Sequence, residues 1–387
     1  MLHVEDLHSP ADRQDRHVAF KRLLDEGDFV LVALVVGRFG LRMRLLAVAP
    51  GVHIRSTHQQ EPGHAVERCS EHGLHTGLAQ GIHIRSSLPT VTRHGHDTFH
   101  PYATIVSKLL PIHRPLQLRV GYELIYYCPQ DVPMILLVNI HYSRASDIVV
   151  PDHLTTDPSI PFTAYRDGFG NWCNRLLAPA GRLRLQGEGI IRDTGLPDEF
   201  MPDAKQHAVE ELPEETLVYL LGSRYCETDL LTQTAWQLFQ STPPGWWRVQ
   251  AICDYVHNHI AFDYQNARPT RSAAQAYDER TGVCRDYAHL AIAFCRAMNI
   301  PARYCTGYLG DVGTPPPWPP GDFAAWMEVY LGGRWLTFDP RNNVPRIGRV
   351  LMARGRDASD VAIVTSFGPN SLESFKVWTD EIPGSVS

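Results

Sequence analysis

The sequence predicts an α+β fold in which a cysteine-led helix packs on an antiparallel sheet, preceded by a β-sandwich-like region. Three observations carry this. Residues 116–192 read as strand after strand with no helix signal between them. Residues 284–299, CRDYAHLAIAFCRAMN, are apolar on nearly every face beyond the first turn, as a helix buried in a domain centre would be. Residues 325–339 contain two strand patterns, AWMEVYL and RWLTFD, separated by Gly332-Gly333, a two-residue hairpin signal.

The 387 residues suffice for two or three cores. Forty-two acidic and 36 basic residues are mixed along the chain with a net charge of -6, so no basic stripe points to nucleic acid or to an anionic membrane. The longest early apolar run, residues 29–37, falls far short of the roughly 20 needed to cross a bilayer. The first residues lack the pattern of a secretory signal. Eight cysteines without a C-x-x-C pair argue against a zinc site and a disulfide framework, and reduced thiols suit the cytoplasm.

Thirteen of the 19 histidines fall in residues 1–113, with the near-repeat GVHIRST and GIHIRSS. This His/Arg-rich, weakly periodic stretch is compositionally foreign to the rest and is expected to be poorly ordered or no natural domain, like upstream sequence translated in a wrong frame. His94, His96 and His100 could offer imidazoles, but their spacing matches no zinc pattern, so no metal site is expected.

Residues 114–212 form the β-rich region. Its strand patterns are LQLRVGYELIYY, MILLVNIHYS, FGNWCNRLLA and GRLRLQGEGIIR, with Asp167-Gly168 and Pro179-Ala180-Gly181 as hairpin turns. Nothing in it looks catalytic. Residues 213–387 then turn helical at PEETLVYLL, ETDLLTQTAWQLF and GWWRVQAICDYVHNHI, and Ser272 can cap a short helix that ends before Gly282.

Cys284 follows in the first turn of the long helix, where free backbone N–H groups and the positive end of the helix dipole favour a thiolate and a lowered pKa. Registering the later hairpin puts Leu331 opposite Arg334 and Trp326 opposite Asp339. Position 324 and Asp339 then share one face as diagonal neighbours. The proline-rich stretch 310–322 between these elements reads as a loop whose Trp318 can flank a substrate cleft.

TGVCRDYAHLAIAFCRAMNIPARYCTGY followed by FAAWMEVYLGGRWLTFDP resembles the transglutaminase-like superfamily, in its bacterial type. The two blocks carry the resemblance over residues 213–367, and an N-terminal β-rich region ahead of the core extends it to about Leu116. It implies a papain-like core, no cofactor, a peptide or protein substrate, and Cys284 as nucleophile with Asp339 in the relay. The family histidine maps onto Ala324, whose methyl group can neither accept nor deliver a proton.

No substitute base stands out. His289 lies five residues along the helix from Cys284, about 140° around it, so the two side chains do not converge; it reads as a supporting or packing residue. Asp286 points about 200° away and reads as support for the helix N-terminus. His257 and His259 close the preceding helix, and Asn342 and Asn343 can donate and orient but not act as bases. Two functional readings follow: a thiol acyl-transfer enzyme (cysteine peptidase, amidase or transglutaminase) working through a Cys284 thioester, or a non-catalytic module that keeps the cleft to bind peptide or protein. Retention of the fold alone, as a platform for the β-rich region, is a third. The sequence leaves substrate identity and oligomeric state open.

Overall fold

The computed structural model describes residues 115–384 and the backbone of a hairpin, β1 (Val30–Gly37) with β2 (Gly40–Ala47), paired from Val30 opposite Ala47 to Gly37 opposite Gly40. The remaining expectations for residues 1–113 lie outside the described residues. Contacts divide the chain into Met1–Asp97 and Thr98–Ser387.

Within the second unit, the alternating apolar residues of β3 (Leu116–Cys128) bury Leu118, Val120, Tyr122 and Leu124 while the intervening side chains face outward. After it come β4 (Val132–Leu136), β5 (Ile148–Val150), β6 (Thr155–Asp157), β7 (Phe162–Arg166), β8 (Trp172–Ala178) and β9 (Gly181–Asp193). They form two sheets that share one apolar core, in which Leu183 and Leu185 of β9 meet Met134 and Leu136 of β4 and Leu176 of β8. The β-sandwich-like character is therefore present.

Two local expectations change. MILLVNIHYS leaves the strand after Leu136, and Tyr142–Asp147 wind into a 3-10 turn capped by His141, whose ring accepts from the Ser143 N–H at 3.2 Å. The turn at Pro179 to Gly181 does not close a hairpin: β8 pairs with β4 and β7, whereas β9 pairs with β3, so this turn carries the chain from one sheet to the other.

Four helices follow a short helical turn at Glu214–Leu217: α1 (Thr228–Phe239), α2 (Trp246–His259), α3 (Ala273–Glu279) and α4 (Cys284–Ala297). Ser272 caps α3 in a reciprocal box with Gln275. Between α2 and α3 runs β10 (Ala261–Phe262), which pairs in parallel with β11 (Thr281–Gly282). Helix α4 is the core's centre, with every residue from Asp286 to Ala297 buried. It ends where Asn299 adopts a left-handed conformation, φ 61°, and the Ile300 N–H bonds back to the Cys295 carbonyl at 2.9 Å.

The helix lies against an antiparallel sheet of β12 (Ala302–Leu309), β13 (Phe323–Leu331), β14 (Arg334–Phe338) and β15 (Arg349–Gly355), in the order β14-β13-β12-β15. Gly332 and Gly333, at φ 58° and 82°, close the β13–β14 hairpin with Leu331 opposite Arg334. Ala325, Met327, Val329 and Leu331 of β13 join the apolar cluster of α4, while Ala324 and Trp326 occupy the other face with Cys305 and Leu351.

The chain then returns to the sandwich. β16 (Val364–Ser366) pairs with β4, and β17 (Ser371–Glu381) pairs with β3 across nearly its whole length. Residues past the core thus complete both sheets of the β-rich region. No helix among the described residues is long and apolar enough to cross a membrane.

Candidate active site

The segment before Cys284 is built to present it. Gly282 has no room for a side chain, since a Cβ there would lie 2.7 Å from the Asp286 Cβ. That close approach lets the Asp286 carboxylate accept from the Val283 N–H at 2.9 Å, closing the helix start from within. Asp286 is fully buried and paired with Arg271 at 3.1 Å, itself 2% exposed, and with Arg285 at 3.1 Å. Its task is to fix the first turn of α4.

Cys284 is half-buried, and the Ala325 backbone amide of β13 is among the groups that act on its thiol. Burial pushes the thiol up to about 11, and the Asp322 carboxylate pushes in the same direction. The Ala325 amide opposes them, Asp339 adds to the rise, and Arg341 opposes it; no imidazole is among these groups. The sequence expectation of a lowered thiol pKa is corrected accordingly. Cys284 opens the helix, but the cost of desolvating its thiolate, with the charge of Asp322 added, outweighs what the helix start contributes.

Asp322 and Tyr264 are residues that sequence reasoning passed over. The β10–β11 pairing, continued by the Asp263 N–H to the Gly282 carbonyl at 2.9 Å, lays residues 261–264 beside the approach to Cys284. Tyr264 then donates to Asp322 at 3.1 Å, joining that segment to the end of the proline-rich loop just ahead of β13. Burial raises the Asp322 carboxyl above the usual range. Burial also lifts the Tyr264 phenol to about 12, with help from the charges of Asp322 and Cys284. No local pattern marked either residue.

Asp339 lies at the end of β14, almost fully buried, and its acceptor sites are taken. Oδ1 accepts from the N–H groups of Arg341 (3.1 Å) and Asn342 (2.9 Å). Oδ2 accepts from Asn342 Nδ2 and from Arg349, each at 2.7 Å. Burial alone would raise this carboxyl, but the Arg349 charge and the Asn342 bonds outweigh it and hold the group below the ordinary carboxylate range. Arg349 in turn grips Asp198 with two contacts of 2.9 Å and sits 5.2 Å over the Trp326 ring. Trp326 is buried packing beneath that cation.

The remaining expected residues lie apart. Ala324 is half-buried opposite Gly307, with its carbonyl accepting from the Thr306 hydroxyl at 3.0 Å. His289 is fully buried, stacked on Tyr225 with centroids 5.1 Å apart, and its Nε2 accepts from the Ala358 N–H at 3.1 Å. Burial drives its pKa down to about 3, so it is a neutral packing group away from the thiol. His257 bonds through Nδ1 to the carbonyls of Pro340 and Arg341, and His259 to that of Tyr277. Trp318 is exposed and donates within its own loop, to the Thr314 carbonyl at 3.1 Å. Asn343 bonds to Asp254 at 2.8 Å, remote from the sulfur in its bonding. Among the described residues, no group of His, Cys, Asp and Glu side chains is arranged to hold a metal ion.

Comparison with known proteins places this geometry. The transglutaminase-like superfamily model matches residues 233–340, a span that contains both Cys284 and Asp339. An uncharacterized protein of Mycobacterium bovis is 36% identical over 239 residues, 55% of this chain and 74% of its own length. One from Mycobacterium leprae is 37% identical over 97 residues, and there the match spans only a third of the relative's length. The crystal structure of a candidate cysteine protease from Cytophaga hutchinsonii is similar at a TM-score of 0.60, with 28% identity, covering 70% of this chain and 93% of the other.

Proposed function

Because the chain belongs to the transglutaminase-like superfamily, we propose that it is a member whose cleft binds a peptide or protein segment without histidine-dependent acyl transfer at Cys284. One observation carries the proposal: the Asp339 carboxylate is saturated by Arg349, Asn342 and the Arg341 N–H, and position 324 holds an alanine. A carboxylate so occupied has no acceptor site left to orient an imidazole, and position 324 supplies none. A thiol pushed up to about 11 is almost wholly protonated at neutral pH and is a poor nucleophile.

The decisive measurement is the pH profile of Cys284 alkylation by iodoacetamide, followed by mass spectrometry of the peptide that contains it. Reactivity should climb with a midpoint above pH 10; a midpoint at or below 7 would sink the proposal. Binding is read separately, by fluorescence anisotropy of a labelled decapeptide library, and absence of any binding would remove the peptide-binding half.

One arrangement favours a second reading, thiol acyl transfer with a different base. The Tyr264–Asp322 pair acts electrostatically on the Cys284 thiol, and burial raises the Asp322 carboxyl, which makes it a stronger proton acceptor than an ordinary carboxylate. That reading requires turnover of a peptide or amide substrate that vanishes in both Cys284→Ala and Asp322→Asn. Turnover surviving either change removes it.

A further inference from the structure

A cavity lies in the β-rich region, and Cys284 is not among its lining residues. It measures about 310 Å³ and is lined only by residues between Asn139 and Asn174. One wall is the inner face of β7 and β8, whose register sets Ala164 opposite Asn174 and Arg166 opposite Trp172. The other wall is the loop and short strand running from residue 139 to 154.

The buried end carries an anion without a cation. Asp152 is 8% exposed, and one carboxylate oxygen accepts from the Ile140 N–H at 2.6 Å. Asn174 donates to Asn139 at 2.7 Å, and Asn139 to the Asp152 carbonyl at 2.7 Å, so the surrounding polar groups are fixed. Among the described residues, no lysine or arginine forms an ion pair with Asp152, and burial holds its carboxyl above the usual range against the Ile140 amide, its own amide, Asn139 and, least, His153. A carboxylate in such a place gains from any ligand that brings a positive charge.

The exposed rim carries a cation without an anion. The Arg166 guanidinium lies 4.4 Å from the Tyr142 ring centroid and 5.4 Å from that of Trp172, and it bonds to the Gly170 carbonyl at 3.2 Å. Tyr142 is itself wedged against Gly170, where an added Cβ would meet its ring at 3.0 Å. No aspartate or glutamate among the described residues pairs with Arg166, so its planar donors are held in place and unneutralised. Ile140, Ile148, Leu154 and Phe162 supply apolar lining to the same cavity.

We propose that this cavity binds a small zwitterion, a free apolar amino acid or a dipeptide, with its ammonium against Asp152, its carboxylate against Arg166 and its side chain among the apolar residues. The volume suits a ligand of that size. Two charges of opposite sign, neither ion-paired to an opposite charge among the described residues, give the site selectivity over molecules that carry only one.

The test is isothermal titration calorimetry of the full chain with L-leucine and L-leucyl-L-leucine, against N-acetyl-leucine and leucinamide. At least one zwitterion should bind, and blocking either end should weaken binding tenfold or more. Asp152→Asn should lose affinity for the zwitterion but no longer distinguish it from the acetylated form, and Arg166→Gln should do the same for the amide. The proposal is overturned if neither zwitterion binds the unaltered protein at millimolar concentration, or if the blocked analogues bind as tightly. Should a variant fail to fold, the analogue series on the unaltered protein still decides.

Discussion

Replacing Arg349 by methionine should cost this protein far more stability at neutral pH than in acid. The guanidinium is 8% exposed and serves two carboxylates, Asp339 at 2.7 Å and Asp198 at 2.9 Å. Breaking a buried ion pair by removing one partner costs about 3–5 kcal/mol. Here two acids lose their counter-charge, and the cation over Trp326 adds about 0.5–1 kcal/mol. Methionine refills much of the aliphatic volume, so little of the loss would come from a cavity. The expected loss at pH 7.5 is therefore about 3.5–6 kcal/mol.

The pH dependence has a definite sign. With its folded pKa held below the ordinary value, Asp339 stabilises the native protein fully above about pH 4 and loses that contribution as the pH falls through the folded pKa. Burial is already the largest single influence on Asp339; without Arg349 only the smaller contributions oppose it, and the folded variant takes up the proton more readily than the unfolded chain. The variant thus recovers by up to about 1.4 kcal/mol per pH unit over that uptake, and the gap to the native protein narrows in acid. Urea unfolding followed by tryptophan fluorescence at pH 7.5 and pH 5 measures both quantities. A loss under about 1 kcal/mol, or a gap that does not change with pH, would refute the assignment of Arg349 as the charge that holds Asp339.

Ala324→His alone should leave the alkylation midpoint of Cys284 above pH 10, because the acceptor sites of Asp339 are occupied; the same histidine combined with Arg349→Met should shift it downward. His289 and His141, pushed to about 3 and about 4 mainly by burial, are folded in the neutral form, so stability should fall below about pH 6.5, where the unfolded histidines gain protons. His289→Gln should flatten part of that fall in acid urea titrations. Gly307→Ala would bring a methyl group to 2.1 Å from the Val350 carbonyl at the β12–β15 irregularity, and a lowered melting temperature, by circular dichroism, is expected from about 1–3 kcal/mol of overpacking. Ser272→Ala should cost about 1 kcal/mol through loss of the α3 cap, read in the same way.

What could be read from the sequence was what residues encode locally. The β13–β14 hairpin was legible because a two-residue turn with both φ positive demands glycine, and Gly332-Gly333 provides it. Helix α4 was legible because an unbroken apolar run between Gly282 and Pro301 has few other uses. β17 was not, since its partner β3 lies some 250 positions away and nothing in either strand names the other. β7 escaped notice because all five of its residues are exposed and no apolar alternation marks it. The site divided in the same way. Cys284 and Asp339 sit at positions defined by their own helix and hairpin, whereas Tyr264 and Asp322 meet only through the β10–β11 pairing and the loop that ends at β13. The sign of the thiol's shift has the same origin: the helix start is visible in sequence, whereas the burial that chiefly raises the thiol and the approach of Asp322 that adds to it arise only in the fold.

The occupation of Asp339 bears on how such a site could change. A carboxylate buried at the end of β14 without an imidazole would be an uncompensated charge, costly to the fold. Four donors remove that cost, two from the backbone after the turn and two from Asn342 and Arg349. Arg349 also ties in Asp198 and covers Trp326, so the same contacts that close the relay join β14, β15 and the segment ahead of the helices. An imidazole introduced at position 324 would have to displace one of these bonds, and each is part of what holds the sheet end together. Restoring the relay and preserving stability therefore pull against each other.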